Sequence, residues 1–318
     1  KTIDRFRQNT TNTAGRLTMS QSTVTDLPGF ANALKLDCTT ADTTIAATEV
    51  GIIQYRFEGQ DVQQIKKGTS SAEPVTVSFY VKGNASATYT VELEDSDNSF
   101  RANSQEFSVT SSWTRVIKTF VADTTGTLDD DANQSLQLNF WFHGGSNYTS
   151  GTFASNTWHT DQTKRIGTNA NSFFDSTART LEITGLQVEV GDTATEFEHR
   201  SFNEELLLCK RYFEVYAPVT NDDGSLNVWR TRTSVNNYNG IVHFLEKRAQ
   251  PTCAMNYDRI HKPGVAKDTL SSTGITIGSG QTTSCTVNAT PTNDSSISTS
   301  CFLGMSSGTG RLTLDAEL

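Results

Sequence analysis

Aromatic rings flanked by hydrogen-bonding side chains are the first feature of this sequence that could do chemistry. Trp141 lies between Asn139 and His143 in a segment where every second residue from Leu136 to Phe142 is apolar. Such alternation places Asn139, Trp141 and His143 together on the polar side of a strand. A ring beside an amide and an imidazole suits a sugar, which presents an apolar C–H face surrounded by hydroxyl groups.

A long polar segment directly after this strand carries five further aromatic residues, two of which are candidates for the same face. Residues 144–177 are rich in Gly, Ser, Asn and Thr but include Tyr148 and Trp158. Loops of this length are uncommon in compact domains and are often functional. We therefore expect one glycan-binding face formed by Asn139, Trp141, His143, Tyr148 and Trp158. The alternative interpretation is that these rings are buried under the loop or against a neighbouring subunit.

Sequence patterns typical of catalysis or metal binding do not single out a site. The chain has no His-Glu-x-x-His or phosphate-binding Gly-x-x-x-x-Gly-Lys motif, and its five histidines do not follow metal-ligand spacing. Residues 95–98 (DSDN) resemble part of a calcium loop but lack its glycine and its later glutamate. We predict a protein that is not an enzyme and needs no cofactor. A structural calcium ion elsewhere stays open as an alternative.

Composition and charge exclude several classes of partner. The net charge of −9 and the isoelectric point near 5.1 disfavour nucleic acid and phosphate-rich membrane surfaces, which attract clustered Lys and Arg. No apolar run approaches the roughly 18 residues of a membrane-spanning helix, so membrane insertion is not expected. The five cysteines form no Cys-x-x-Cys pair, which favours free thiols over a disulfide framework or a zinc site.

The elements that must position the candidate face are short strands separated by polar turns. This pattern predicts an all-β fold with an N-terminal antiparallel jelly-roll sandwich over residues 1–200. A short helical turn is expected within residues 59–67. The predicted strands are 33–39, 49–57, 74–82, 87–94, 106–110, 114–122, 135–143 and 180–190.

One helix interrupts the series of strands and divides the chain. Ser201 followed by Glu204 is the capping-box pattern, and apolar residues recur at helical spacing after it, which predicts a helix over residues 201–216. We expect a linking helix at 201–217 and a smaller C-terminal β domain at 218–318. Residues 221–224 (NDDG) predict a turn between two of its strands.

The segment that precedes this helix resembles a known family. Residues 183–200 read ITGLQVEVGDTATEFEHR, which is similar to the final jelly-roll strand and exit segment of many bacteriophage virion proteins. These are tail-fibre and related structural proteins with a domain like a carbohydrate-binding module. The helix residues in matching places are Glu204, Glu205, Leu206, Cys209, Arg211 and Tyr212.

The resemblance extends over most of the chain. Glu196 departs from it, because proline is usual there, and Phe6 stands where tryptophan is usual. The ending resembles the group's common C-terminus, and the start at Lys1 leads us to expect that the chain is the later part of a longer polypeptide. The matching residues are 2–6 (TIDRF), 55–61 (YRFEGQD), 75–82 (VTVSFYVK), Ser112, Trp113, Trp141, Trp158 and 310–318 (GRLTLDAEL).

The resemblance implies a non-enzymatic virion component that meets the host surface. Members of the group are often trimeric, so the resemblance implies other virion proteins as partners and favours a homotrimer, assembled in the host cytoplasm. It does not name a ligand, and host cell-surface glycans are expected from the aromatic face alone. An exposed strip of Leu207, Leu208 and Tyr212 on the helix would suit packing near a symmetry axis. Two alternatives stay open: a purely structural capsid decoration or spike protein, and the accessory region of a glycan-degrading virion enzyme.

Overall fold

The computed structural model describes most of the chain and divides it into two compact units, Lys1–His199 and Arg200–Leu318. The described residues are 6–11, 15–167, 169–216, 226–228, 230–234, 237–256, 259–261, 268–291, 301–304 and 311–317.

The first unit is a sandwich of two five-stranded antiparallel sheets, which confirms the predicted jelly-roll class. The first sheet has the strand order β1-β4-β9-β6-β7, and the second has the order β2-β3-β10-β5-β8. The strands are β1 (Phe6–Asn9), β2 (Leu17–Thr23), β3 (Asn32–Cys38), β4 (Val50–Glu58), β5 (Val75–Gly83), β6 (Ala87–Asp95), β7 (Arg101–Val109), β8 (Thr114–Phe120), β9 (Gln134–Gly144) and β10 (Thr180–Val190).

The core lies between the inner faces of these two sheets. Phe79 of β5 has edge-to-face contacts with Phe107 and Phe140, at 5.2 and 5.1 Å between ring centroids. Each such buried side chain contributes roughly 1.5–3 kcal/mol by leaving water. This core follows from the alternation along each strand, because every second side chain of a strand points to the same face of its sheet. The central inward-facing residues are Val77, Phe79, Val81, Val91, Leu93, Leu136, Leu138, Phe140 and Phe142.

Two strands escaped the sequence-based prediction and one begins earlier than expected. Strands β1 and β2 lie at sheet edges, and β2 is so polar that only Leu17 of its seven residues is buried. Strand β7 begins at Arg101, five residues before the predicted start at residue 106. Polar residues of an edge strand carry no hydrophobic alternation, so their strand pairing is hard to read from the sequence.

The long segment after β9 is ordered. It contains one short helix, α1 (Ser146–Thr149), and two 3-10 turns, Gln162–Lys164 and Phe173–Asp175. Isolated bridges join His159 to Ala102 and Ser155 to Ser104, so the segment pairs with the edge strand β7. Two further 3-10 turns, Gly59–Asp61 and Gln63–Ile65, lie where a helical turn was predicted.

The second unit begins with the predicted helix, which is shorter than expected. Helix α2 (Phe202–Tyr212) starts with the capping box of Ser201 and Glu204, as predicted, and ends where β11 (Phe213–Tyr216) begins. The described part of the chain contains no helix long and apolar enough to cross a membrane.

The other described elements of the second unit are antiparallel strands. A three-stranded sheet has the order β11-β20-β15, and a seven-stranded sheet has the order β12-β19-β16-β17-β18-β14-β13. The turn predicted at residues 221–224 lies outside the described residues. The strands are β12 (Leu226–Val228), β13 (Arg230–Ser234), β14 (Asn237–His243), β15 (Thr252–Met255), β16 (Arg259–His261), β17 (Asp268–Gly280), β18 (Ser284–Pro291), β19 (Cys301–Gly304) and β20 (Leu312–Asp315).

Candidate functional site

The polar side of β9 is covered, as in the alternative interpretation in which its ring is buried under the loop. Asn139 is 0% exposed, Trp141 2% and His143 3%. The physical reason is the segment 145–175, which folds back over this side of the first sheet and pairs with β7. Glycan contact by the five residues predicted from the sequence stays a prediction.

Trp141 is held in a small apolar cluster beneath this covering segment. Its ring packs with Val50, Ile52 and Ile166, and the ring of Tyr148 lies 5.1 Å away between centroids. The indole Nε1 donates a hydrogen bond of 3.0 Å to Glu92 Oε1. Both the ring faces and the polar atom of Trp141 are therefore occupied within the fold.

His143 and Asn139 are also fully engaged. His143 Nε2 lies 3.0 Å from Glu49 Oε2, and its Nδ1 shares a 2.7 Å hydrogen bond with Ser172 Oγ. The Asn139 amide nitrogen donates to Glu92 at 2.9 Å, and its oxygen accepts from Gln54 at 2.9 Å. Fully paired polar groups of this kind rigidify a sheet face.

Two buried glutamates share one guanidinium on the same face. Arg165, which belongs to the covering segment, donates to Glu94 and lies 3.5 Å from Glu92. Burial, together with the neighbouring Glu92, raises the pKa of Glu94 to about 7. This ion group ties the covering segment to β6 and adds to the packing of Trp141.

Trp158 and Tyr148 do not share one environment. Trp158 is half-buried, packs against the main sandwich core, and donates from Nε1 to the Val121 carbonyl at 2.7 Å. Tyr148 is half-buried against Trp141 in the smaller cluster. The structure thus brings Trp141 and Tyr148 together and anchors Trp158 elsewhere.

An accessible tryptophan surface lies on the outer face of the second sheet. Trp113, in the turn before β8, is half-buried, and its Nε1 donates a 2.8 Å hydrogen bond to Asp26 Oδ1. Lys82 Nζ lies 4.9 Å from the Trp113 ring centroid and pairs with Asp26 at 3.0 Å and Glu182 at 3.2 Å. We call Asp26, Lys82, Trp113 and Glu182 the Trp113 surface.

A charged hydrogen bond fixes the orientation of the Trp113 ring. The hydrogen bond from Lys82, and then that from Trp113, lower the pKa of Asp26 below its usual value. Asp26 is therefore a carboxylate at neutral pH and holds the indole in place. A fixed ring with an ammonium and two carboxylates beside it can stack on a sugar and bond its hydroxyl groups.

A second group of rings adjoins this surface. Phe30 lies 5.2 Å from Tyr80, 5.2 Å from Phe197 and 5.4 Å from His199 between ring centroids. Tyr80 and Lys82 are two residues apart on β5 and therefore share its outer face. The outer face of the second sheet thus carries partly exposed rings among charged groups.

The sequence contains a signal for the Trp113 surface in strand β5 and in the turn before β8. In β5 the apolar Val77, Phe79 and Val81 alternate with Ser78, Tyr80 and Lys82, which is the pattern that singled out Trp141 in β9. Ser112 and Trp113 follow Thr110 in a polar turn, where a large ring has no strand neighbours to bury it.

The calcium-like segment at residues 95–98 holds an ammonium group instead. Lys67 Nζ lies 2.5 Å from Asp95 Oδ2 and 3.1 Å from Asp123 Oδ2, and it donates to the carbonyls of Thr125 and Gly126. Among the described residues, no group of three or more His, Cys, Asp or Glu side chains could hold a metal ion.

Comparisons with known proteins give weak structural likenesses. No family model and no curated protein matches the chain. A CBM4 structure is 13% identical, covers 59% of this chain and 88% of its own, and has a TM-score of 0.32. The family 22 carbohydrate-binding module of Clostridium thermocellum Xyn10B is 11% identical, with coverage of 61% and 91% and a TM-score of 0.34.

A phage protein is also among the likenesses. The enzymatically active domain of tailspike protein 4 from bacteriophage CBA120 is 9% identical, with a TM-score of 0.27. The likeness covers 55% of this chain and 19% of the tailspike chain. At these identities and TM-scores, none of the three likenesses carries an argument about function.

Proposed function

We propose that this chain is a non-enzymatic phage virion protein, of the tail-fibre or tail-associated kind, that contacts host surface glycans. The single observation that carries glycan contact is the Trp113 surface, where a partly exposed ring is fixed between Lys82 and Asp26. The phage assignment is supported by the resemblance of residues 183–200 and of the helix that follows them.

Trp113 replaces Trp141 as the centre of this proposal for a physical reason. A stacked sugar needs one free ring face and nearby hydrogen-bonding groups, and Trp141 is only 2% exposed. At the Trp113 surface Lys82 occupies one side of the ring and leaves the ring partly exposed, with Asp26 and Glu182 beside it. Trp158 is half-buried and remains a weaker second candidate.

A glycan array with the purified chain, followed by one pair of variants, tests this proposal. Trp113→Ala should weaken binding about 5- to 150-fold, because a stacked ring contributes roughly 1–3 kcal/mol in the better-measured case of nucleic-acid bases. Trp141→Phe is the matched control, since it changes a buried tryptophan and should leave affinity unchanged. Equal binding by wild type and Trp113→Ala would count against the Trp113 surface.

The second candidate function is a purely structural decoration or spike protein. The observation that favours it is the burial of Asn139, Trp141 and His143, whose partners all lie within the chain. This candidate predicts no binding to any arrayed glycan together with full incorporation into particles. Immunogold labelling of purified particles would test the virion assignment that both candidates share.

A third candidate places catalysis in a polypeptide to which this chain is accessory. Under our proposal, residues 1–318 bind host polysaccharide without cleaving it. Depolymerisation by this chain alone, abolished by one Asp or Glu substitution, would contradict the non-enzymatic assignment.

A further inference from the structure

On the outer face of the first sheet, positive side chains lie towards the β1 edge and negative side chains lie on β6. The pairing of β1, β4, β9 and β6 aligns Arg7 with Gln54, Gln54 with Asn139, and Asn139 with Glu92. The next row aligns Arg56 with Gln137 and then with Glu94. Both rows therefore run from an arginine at the β1–β4 edge, across neutral amides, to a glutamate on β6.

The two ends of these rows differ in their burial and in their ion pairing. The glutamates are buried, and Arg165 of the covering segment lies against both of them. The covering segment pairs with β7, the opposite edge of the sheet from β1. Arg7 is exposed and Arg56 is half-buried, so the arginine end is the accessible end of this face.

Arg56 is incompletely satisfied within the described part of the chain. Its one hydrogen bond there runs from Nη2 to Gln54 Oε1 at a weak 3.4 Å, and its Nε is buried without a partner. No carboxylate of a described residue pairs with it. Burial and then the nearby Arg7 lower the pKa of Arg56 to about 10, and the more weakly acting Glu94 does not offset them. A desolvated guanidinium without a counter-ion is costly unless an anion completes it.

We propose that Arg7 and Arg56 bind the oxyanion of an acidic glycan, a carboxylate or a phosphate group. Guanidinium forks match both groups with paired N–H···O bonds. The side-chain amides of Gln54 and Gln137 beside them are buried and bonded to each other and to Asn139 and Glu94, so the two arginines alone would hold the acid group. This site is on the opposite sheet from the Trp113 surface and does not depend on it.

Nuclear magnetic resonance titration of the full chain tests the site with three defined probes. Methyl glucuronide carries a carboxylate, glucose 6-phosphate carries a phosphate, and methyl glucoside is the uncharged control. The side-chain Nε–H signal of Arg56 should shift with at least one charged probe and not with the uncharged one. The shift should weaken with added salt, because exposed charges are screened.

Variants decide whether Arg56 is responsible. Arg56→Gln should weaken binding of the charged probe at least about tenfold, whereas Arg115→Gln, an arginine on the second sheet, should not change it. Arg56→Gln should melt at or above the wild-type temperature, since it removes a charge that lacks a counter-ion. Arg56→Lys keeps the charge without the fork and should give intermediate affinity.

The outcomes separate this site from the proposed function. A response to the glucuronide alone assigns a carboxylate, and a response to the phosphate alone assigns a phosphate ester; either supports the site. Equal responses to the charged and uncharged probes, or unchanged affinity in Arg56→Gln, would overturn it. Trp113→Ala should leave this titration unaltered, so failure at the Trp113 surface and failure here are distinguishable.

Discussion

Individual tryptophans of this protein have different environments, and those environments determine what each can do. Trp141 is enclosed by Val50, Ile52 and Ile166, with its Nε1 bonded to Glu92. Trp113 is half-buried, with Lys82 over its ring and Asp26 bonded to its Nε1. The first side chain is part of the core, and the second is part of the surface.

Substitution of these two residues should affect stability unequally. Trp141→Ala should lower the free energy of unfolding by about 3–5 kcal/mol, since a buried ring is lost and a cavity remains. Trp113→Ala should cost about 1 kcal/mol, the usual net contribution of one hydrogen bond. Urea denaturation measures both values, and similar losses for the two variants would contradict this distinction.

Glu94 should make stability depend on pH. Its pKa is about 7 in the fold and near 4.5 when unfolded, so the folded state binds the proton more tightly. Stability therefore decreases as pH rises from about 4.5 through 7, because folding then requires a buried charge. His159 acts in the opposite direction, since burial lowers its pKa.

A variant isolates the Glu94 contribution from that of His159. The melting temperature of the wild-type protein should fall by about several degrees between pH 5 and pH 8. Glu94→Gln should not show this fall, whatever its own stability at pH 5. A difference between the two proteins that does not change with pH would show that Glu94 is not the responsible group.

At the scale of elements, strand β10 and the exit segment after it pack against the group of rings around Phe30. The β10–β5 pairing shifts register between Thr184 and Gln187, and Gly185 within that bulge has φ of +59°. A Cβ at this glycine would lie 2.8 Å from the Phe30 ring. The bulge thus provides the space in which Phe30 packs on Tyr80 and Phe197.

Gly185→Ala should therefore destabilise the first unit through both strain and contact. We expect a loss of roughly 2–3 kcal/mol, of which about 1–2 kcal/mol is the left-handed backbone penalty. Gly15→Ala is the matched control, because Gly15 has φ of +80° and its Cβ would meet nothing within 4 Å. Equal melting temperatures for the two variants would show that Phe30 adapts without cost.

Elements with local signals were predictable from the sequence, and those fixed by distant contacts were not. The alternation in β9 and the capping box at Ser201 both depend on neighbouring residues, and the structure confirms them. The covering of Trp141 depends on Ile166 and on pairing with β7 through His159. Alternation assigns residues to one side of a strand, but it does not reveal what packs on that side.

At the scale of the whole molecule, helix α2 presents the features that motivate a homotrimer. Phe202 is 80% exposed, Leu207 56% and Leu208 38%, whereas Tyr212, which was predicted to be exposed with them, is only 9% exposed. Exposed apolar side chains in a row commonly mark an interface with another protein surface. We propose that three copies associate through this helix.

A charge placed in this strip should prevent association. Wild-type protein should have three times the monomer mass in light scattering at micromolar concentration, and Leu207→Glu should have the monomer mass. Asn203→Glu adds the same charge at an exposed polar position of the same helix and should remain trimeric. A monomeric wild-type protein would rule out the trimer.

The central claim, that Trp113 and not Trp141 contacts the glycan, has one direct measurement. The indole N–H resonances of the chain can be assigned with single Trp→Phe variants and followed while a glycan selected on the array is added. The Trp113 signal should shift in proportion to the bound fraction, while the Trp141 signal should stay in place. A shift of the Trp141 signal with an unmoved Trp113 signal would contradict it and return the site to the covered face of the first sheet.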